Sequence, residues 1–403
     1  MPFDAQAIKK QFPLFNKFPD LVYLDSAATA QKPQSMIDAV SAFYSFENSN
    51  IHRGVYDLSA QATQKYEGVR KQLHQFLGGD SANCFTFCAG TTDAINMVAE
   101  GYLADQLEEG DKVIITEMEH HANLIPWQQI CKKKKALLVV IPIDENGELD
   151  ISQLENLLDN STKLLAITHI SNTLGTINPI KEITELAHQY DVPVLIDGAQ
   201  SVGHCSVNIT EIGADFLVFS GHKMFGPTGI GVLYCAEKFH DQIKPTKFGG
   251  GNITEVSFEE TSWMKYPHGM EAGTRNIAGV IGLGAALDFV EQLDLQETFV
   301  HEQNLAALLR KEIGEMDGVE VVGSPKHFAG IVSFQVEDVH PHDVASFLSD
   351  AKIAVRAGHH CTQPLLNGMD IPATVRASFS IYNTEADVTR LVNALVELKK
   401  FWM

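Results

Sequence analysis

The chain has 403 residues, 45 % of them hydrophobic and 20 % charged, with 51 Asp and Glu against 30 Lys and Arg for a net charge of −21. That apolar fraction excludes a disordered chain, because it can offset the entropy of ordering, and at roughly 150 residues per domain the length predicts two or three domains. The acidic balance excludes broad binding to nucleic acid or to an anionic membrane surface.

The opening stretch MPFDAQAIKKQFPLF mixes charged with short apolar groups and lacks the apolar block of a signal peptide. No apolar run approaches the roughly 18 residues of a membrane span. Six cysteines at uneven spacings do not make a disulfide scaffold, and Cys84-x-x-x-Cys88 lacks a second pair of zinc ligands. A cytoplasmic protein with reduced thiols is expected.

From about residue 80 to 235, short β-rich runs alternate with helix-period segments. CFTF (84–87) leads into TTDAINMVAEGYL, and KVIIT (112–116) into ANLIPWQQICKKKK. The basic run Lys132–Lys135 at the end of that segment reads as a solvated helix end rather than a nucleic-acid patch. ALLVVIPI (136–143), which reads as a buried strand, precedes ISQLENLLDN. LLAITHI (164–170) precedes IKEITELAHQY, and VPVLIDGA (192–199), DFLVFSG (215–221) and GIGVLYC (229–235) follow. The alternation predicts parallel strands joined by helical crossovers, an α/β sheet covered on both faces. After Gly249–Gly251 the pattern loosens to about residue 275, and two helical segments, GVIGLGAALDFVEQL and FVHEQNLAALLRKEIGEM, come next. VEVVG, GIVSFQV, HDVASFLSDAK, IAVRAG, VRASFSIYN and a last helix at EADVTRLVNALVELKK complete the chain. The expected organisation is an N-terminal segment plus a large α/β domain over 1–284 and a smaller α+β domain over 285–403.

Chemistry-bearing residues fall at strand ends and loops. Lys223, in SGHKMFGPTG, sits where α/β sheets present ligands. If desolvated, its amine can form a Schiff base; the competing reading is a snorkelling surface lysine. Asp197, in LIDGAQ, closes an apolar strand. It could be a helix cap, a metal ligand or the partner of a cofactor cation, and no motif supports a metal. A strand-end Asp and Lys together are what pyridoxal phosphate chemistry requires: the acid keeps the pyridine nitrogen protonated and the ring an electron sink. Thr91 and Thr92, in AGTTDA, form a strand-to-helix turn that could hold a phosphate or simply cap a helix. In EHHAN, His120 could stack on a flat cofactor and shuttle protons, whereas His121 suits a surface histidine. Cys361, in RAGHHCTQP, lies in a polar loop where Arg356 and the histidines would favour its thiolate, while the other five cysteines read as core. A His-His-Cys metal site there would need a further ligand. Arg376 interrupts an apolar strand and needs a partner, either a substrate carboxylate or an internal acid.

Taken together, these stretches resemble the class V aminotransferase family of pyridoxal phosphate enzymes, and within it the group II cysteine desulfurases of the Suf and Csd type. The resemblance runs through LDSAATAQKP, NSNIHRGVY, GTTDAIN, EMEHHANLIPW, HISNTLGTINP, LIDGAQS, FSGHKMFGPTGIGVLY, EAGTRN, RAGHHCTQPL and RASFSIYN. It implies fold type I, a large domain with a mostly parallel sheet and a smaller C-terminal domain. By resemblance Lys223 would carry the cofactor and move protons, Asp197 would pair with the pyridine nitrogen, Gln200 with the ring hydroxyl, and His120 would stack on the ring. Thr92, Ser220 and His222, with Thr91 in the same turn, would hold the phosphate. Thr274 would reach the phosphate of a neighbouring subunit, which implies a homodimer. Arg376 would bind the substrate carboxylate with Asn172 and Arg356 alongside, and Cys361 would take the sulfur of L-cysteine as a persulfide, releasing alanine. No metal is expected. Group II enzymes imply a sulfur-acceptor partner of the SufE/CsdE type, and iron–sulfur cluster assembly as the process served.

The chain departs from the family pattern at Arg275, where a proline is usual, and at Met270, where an aromatic is usual. Both bear on the rigidity of that loop rather than on the chemistry. HHC looks Suf-like and CTQPLL Csd-like. The rival readings are a selenocysteine lyase acting on L-selenocysteine with the same scaffold, and a catalytically silent sulfur-relay or scaffold protein, against which the intact Lys223, Asp197 and His120 argue. A Rossmann dehydrogenase is disfavoured because no GxGxxG opens the first βα unit.

Overall fold

A computed structural model describes residues 3–402. The outermost residues of the two expected units, Met1, Pro2 and Met403, lie outside the described residues. The apolar runs form a seven-stranded sheet of β1 (Phe85–Cys88), β2 (Lys112–Thr116), β3 (Leu137–Ile141), β4 (Thr162–Thr168), β5 (Val194–Asp197), β6 (Phe216–Ser220) and β7 (Gly231–Cys235), in the spatial order β1-β7-β6-β5-β4-β2-β3. β2 to β6 are parallel, and β7 runs against both its neighbours. The sheet is therefore mostly parallel, as expected.

Every residue of β5 and β6 is buried, which is why those strands are apolar on both faces. β3 corrects the sequence reading. Its run is equally apolar, but it forms the sheet edge, where Leu137 is 55 % and Val140 47 % exposed.

Helix α1 (Asp57–Leu77) buries Ala62, Tyr66, Val69, Leu73 and Leu77, a stripe at three- and four-residue spacing, and stops at Gly78, whose φ of +74° suits glycine. α2 (Thr91–Val98) follows β1 directly. α3 (Ile125–Lys134) ends in Lys132, Lys133 and Lys134, which complement the carbonyl end of its dipole. α4 (Ile277–Glu291) packs Ile277, Val280, Leu283 and Leu287 into the core of the large sheet, so this helix runs through the division drawn at residue 285.

A hairpin of β8 (Ile253–Val256) and β9 (Thr261–Trp263) precedes α4. The C-terminal part comprises α5 (Leu295–Gly314), β10 (Val319–Val322), β11 (Ile331–Val336), α6 (Pro341–Asp350), β12 (Arg356–Gly358), β13 (Thr374–Ser378) and α7 (Glu385–Trp402). Its four strands form an antiparallel sheet in the order β10-β11-β13-β12. The start of the chain joins this second unit: Val22–Tyr23 pairs in parallel with Ile353–Ala354, and Val22 and Leu24 are buried in the second core. Phe12, Phe15, Phe225, Phe289 and Tyr382 pack together in a separate aromatic core that joins the N-terminal segment to both parts of the chain, each buried aromatic contributing on the order of 1.5–3 kcal/mol.

Candidate active site

The carboxyl ends of β1, β2, β4, β5 and β6 face one crevice, where open α/β sheets bind ligands. A cavity of about 180 Å³ lies there, and β12, β13 and the Cys361 loop line it from the C-terminal unit. Lys223, Asp197, Gln200, His120, Thr91, Thr92, Ser220, His222, Asn172, Arg356, Arg376 and Cys361 all line it.

Lys223 ends the short helical turn after β6, and among the described residues its Nζ makes no hydrogen bond or ion pair. Burial lowers its pKa to about 8, aided by the charges of Arg376 and Arg356 and opposed by Asp197. A free amine is thus accessible near neutral pH. Asp197 is 4 % exposed; its Oδ1 accepts the Ala199 N–H at 2.9 Å and its Oδ2 has no partner among the described residues. Burial raises its pKa, so it is an under-partnered carboxylate facing a cavity. Gln200 donates through Nε2 to the Ala27 carbonyl at 2.9 Å.

Ser220 and Thr91 engage each other. The Thr91 N–H donates to Ser220 Oγ at 2.9 Å and the two hydroxyls lie 2.8 Å apart. Glycines permit this approach, since a Cβ on Gly231 would lie 2.4 Å from Gly90 Cα. The N–H groups of Thr92 and Asp93 at the start of α2 have no partner in the described chain and point the positive helix end at the crevice. His222 is held neutral, its pKa lowered to about 4 by burial and by Lys223 and Lys32. His120 is held neutral by burial and then by Lys223, with a pKa of about 3. Its Nδ1 accepts the Ala122 N–H at 3.0 Å, which leaves the ring proton on Nε2.

Arg376 and Arg356 stand directly opposite each other on antiparallel β13 and β12. Like charges in that register repel. Arg376 donates from Nη1 to the Asn172 carbonyl at 2.8 Å and from Nη2 to Asp25 Oδ1 at 3.2 Å, while its Nε is buried without a partner. The internal acid left open by the sequence is therefore Asp25, which answers only one edge of the fork. Arg356 has no hydrogen bond or ion pair among the described residues. The pair is a ready site for a carboxylate.

Cys361 is half-buried and sits, with His360, in the left-handed backbone region, at φ of +59° and +52°. Neighbours hold this bend: His121 N–H donates to the Cys361 carbonyl at 2.7 Å, Asn172 Nδ2 to the His360 carbonyl at 2.8 Å, and the Gln363 N–H to His121 Nε2 at 3.1 Å. His121 thus shapes the thiol loop. Cys84, Cys131 and Cys235 are buried; Cys88 and Cys205 are half-buried rather than core, although burial still pushes their thiols up to about 12.

Thr274 lies outside the cavity. It is exposed and lines a separate groove with His52, Arg53, His268 and Arg275. The turn that carries it hangs on Glu271, 4 % exposed, which accepts Arg70 Nη1 and Nη2 at 2.9 and 3.1 Å, the Tyr66 hydroxyl at 3.0 Å and the Phe87 N–H at 2.9 Å. Arg275 adds a bond from Nε to Glu271 at 3.2 Å and one from Nη2 to the Gly251 carbonyl at 3.1 Å. The arginine ties down the loop that a proline would stiffen.

Sequence reasoning missed three polar residues besides Glu271. Asp25 follows a short strand in LDSAAT. Lys32 donates to the His222 carbonyl at 2.8 Å, with its pKa lowered to about 8 by burial. Glu119, 1 % exposed and raised to about 8 by burial, joins Thr116, Asn123 and the Thr168 N–H behind His120. The only signal for these was an acid or lysine beside a motif already singled out.

The donor set fits a planar pyridine carrying an aldehyde and a phosphate: a free buried amine, an under-partnered carboxylate, a neutral imidazole, and open N–H groups at a helix start. A mostly parallel sheet presenting this lysine and aspartate to a crevice closed by a smaller antiparallel unit defines a fold type I pyridoxal phosphate enzyme. The aminotransferase class-V model matches residues 22–391, and the chain belongs to that family. It is 47 % identical to a probable cysteine desulfurase of Halalkalibacterium halodurans over 402 residues, 99 % of each chain. Its structure resembles the cysteine desulfurase of Thermococcus onnurineus, with a TM-score of 0.94, 39 % identity and 99 % of each chain covered. It also resembles the cysteine desulfurase CsdA of Escherichia coli, with a TM-score of 0.93, 35 % identity and 100 % of each chain covered. Among the described residues no helix is long and apolar enough to cross a membrane.

Proposed function

We propose that the protein is a pyridoxal phosphate-dependent cysteine desulfurase that converts L-cysteine to L-alanine and retains the sulfur on Cys361 as a persulfide. The observation that carries this reading is the meeting, in one cavity, of the Lys223 amine, the Asp197 carboxylate, the Arg356–Arg376 pair and the Cys361 thiol. Lys223 would hold the cofactor covalently, Asp197 its ring nitrogen, Gln200 its ring hydroxyl and His120 its ring face. Thr91 and Thr92, with Ser220 and His222, would hold its phosphate at the open N–H groups of Thr92 and Asp93. When bound, it supplies an electron-withdrawing ring that makes the bonds at the substrate's Cα and Cβ labile.

The chain's own groups do the rest. Arg376 and Arg356 fix the substrate carboxylate by charge-assisted hydrogen bonds, with Asn172 holding the Arg376 side through its carbonyl. Lys223, poised near pH 8, takes and returns protons at the substrate carbon. His120, neutral with its proton on Nε2, can give a proton to a group leaving on its side of the cavity. The Cys361 thiolate forms an S–S bond to the substrate sulfur as the C–S bond breaks. The electron pair stays with the substrate carbon, which a proton converts to the methyl of alanine, so that thiol plus cysteine gives persulfide plus alanine. A second protein bearing a thiol is proposed to relieve Cys361 of its sulfur; the loop's lip of exposed His359, Gln363 and Pro364 supports such an approach. A homodimer is proposed in which Thr274 serves the other subunit's site, consistent with its exposure away from its own.

The test is product analysis with L-cysteine and with L-selenocysteine, with and without an acceptor protein. Wild type is expected to form alanine and a persulfide mapped to Cys361. Cys361→Ala should keep the visible absorbance of the cofactor but form little alanine from cysteine. Full turnover by that variant would remove Cys361 from the reaction.

A further inference from the structure

Behind the Lys223 main chain lies a buried histidine–carboxylate pair that the desulfurase reading does not use. His204 Nδ1 lies 3.1 and 3.3 Å from the two carboxylate oxygens of Glu302, and both residues are buried. The His204 ring also hydrogen-bonds the Lys223 main chain. That contact favours the protonated ring, so the group it meets is the carbonyl, an acceptor. His204 belongs to the loop after β5, Glu302 to α5 and Lys223 to the turn after β6. We propose that Glu302 and His204 are positioning residues: Glu302 holds His204 against the Lys223 carbonyl and so fixes the main chain from which the Lys223 amine reaches the cofactor. The amine's task is that of the desulfurase reading, on which this role rests.

The Lys223 turn is built to be held. Phe225, two residues on, is left-handed at φ +66°, a conformation that a bulky residue adopts only when its surroundings impose it. Gly203 brings the His204 loop against this turn: its φ is +89°, and a Cβ there would lie 2.5 Å from Met224 Cβ. The His204 and Phe225 rings stand 6.1 Å apart. On the other flank, the His222 carbonyl accepts Lys32 Nζ at 2.8 Å, the Ala30 N–H at 3.1 Å and the Thr29 hydroxyl at 3.2 Å. The Gly221 carbonyl accepts the Gly226 and Met224 N–H groups at 2.8 and 3.1 Å. Each carbonyl from Gly221 to Lys223 therefore has its own donor, and the imidazole supplies the last.

Packing alone does not call for this pair, since apolar side chains of the same volume would fill the space with less desolvation. A hydrogen-bonded pair has direction, which apolar packing lacks. Glu302 lies on α5, whose Leu305, Ala306 and Leu309 belong to the second core, so the hold on Lys223 comes from the C-terminal unit. Gly330, just before β11, backs Glu302 closely: a Cβ there would lie 3.0 Å from Glu302 Cβ.

The experiment uses the full chain, stripped of cofactor and then mixed with pyridoxal phosphate. Capture is followed by visible absorbance and by borohydride fixation on Lys223, mapped by mass spectrometry, with urea midpoints of the loaded proteins measured alongside. His204→Leu keeps the volume and removes the donor. It is expected to slow capture and lower kcat for L-cysteine by at least about tenfold, since a displacement of about 1 Å costs up to about 100-fold. KM should stay within about twofold, because the Arg376–Arg356 pair that binds the substrate is untouched. His204→Gln can still donate to the carbonyl and should capture within about threefold of wild type. Glu302→Gln, the mildest change in shape, should slow capture about threefold or more alone and add nothing to His204→Leu, because it acts through the histidine. It carries the test if His204→Leu is too unstable to load. Wild-type capture in Glu302→Gln, its full addition to the effect of His204→Leu, or equal losses in His204→Leu and His204→Gln would each overturn the assignment. A wild type that captures the cofactor and forms no alanine from L-cysteine would overturn the desulfurase reading instead, with the capture rates still deciding the role of the pair.

Discussion

Removing the Glu271 carboxylate tests the stability logic of the loop that carries Thr274. In Glu271→Ala, Arg70, 1 % exposed, loses both fork bonds, and the Phe87 amide and Tyr66 hydroxyl lose their acceptor. Taking one partner from a buried ion pair costs about 3–5 kcal/mol, because the other charge stays buried. Arg70 keeps Glu67, at 2.9 Å from its Nε, and the Phe85 carbonyl. The expected loss therefore lies near the lower end, about 3 kcal/mol. Replacing both members, Glu271→Leu with Arg70→Met, removes the uncompensated charge and should restore most of that loss. The assay is urea unfolding of the cofactor-loaded proteins followed by fluorescence of the buried Trp127, comparing midpoints at unchanged slope. A loss under about 1 kcal/mol, the value of an exposed pair, would refute the reasoning, as would a double variant no more stable than Glu271→Ala.

Three further outcomes are expected. In the cofactor-free protein, the rate at which pyridoxal phosphate is taken up should rise with pH with a midpoint near 8, because the free Lys223 amine is the reactive form; a rate still climbing steeply above pH 9 would show an unperturbed lysine. Asp25→Asn frees the Arg376 edge that Asp25 holds at 3.2 Å, so KM for L-cysteine should fall about fivefold, a gain near 1 kcal/mol; a higher KM would mean that Asp25 orients Arg376 rather than competing with the substrate. His204 and Glu302 form a buried pair at 3.1 Å, and although burial opposes it, Glu302 raises the His204 pKa. A raised histidine adds stability that is complete below its unfolded value and is lost as pH rises through the folded one. The advantage of wild type over His204→Gln should accordingly shrink between pH 6 and pH 9, measured by urea midpoints, and an advantage that grows with pH would reverse the assignment.

Lys223 and Asp197 were legible because each ends an uninterrupted apolar run, and a parallel sheet must place such ends at one crevice. Asp25 was not, because its partner Arg376 is 351 residues away and no local pattern encodes that meeting. Glu119 was hidden by the more conspicuous histidines after it, and Glu271 by the departure at Arg275. The register that sets Arg356 against Arg376 is equally non-local. Periodicity also misjudged β3, since an apolar run says that a segment is a strand but not whether a neighbour covers it. The crossing of the N-terminal segment into the second core rests on two residues, Val22 and Leu24, too short a pattern to read.

That uncovered strand gives the run Lys132–Lys135 a consequence. An open sheet edge with exposed apolar side chains is a template on which another chain can stack and aggregate. Lys135, at φ +57°, turns the chain from the basic end of α3 straight into β3, so the lysines stand beside the open edge. Lys133 and Lys135 are paired with Glu100 at 3.1 Å and Glu109 at 3.0 Å, so the chain enters this edge strand through a patch of solvated charge. Charge beside an edge strand is one of the means by which sheets discourage edge-to-edge pairing, and solubility rather than catalysis is what its neutralisation is expected to cost.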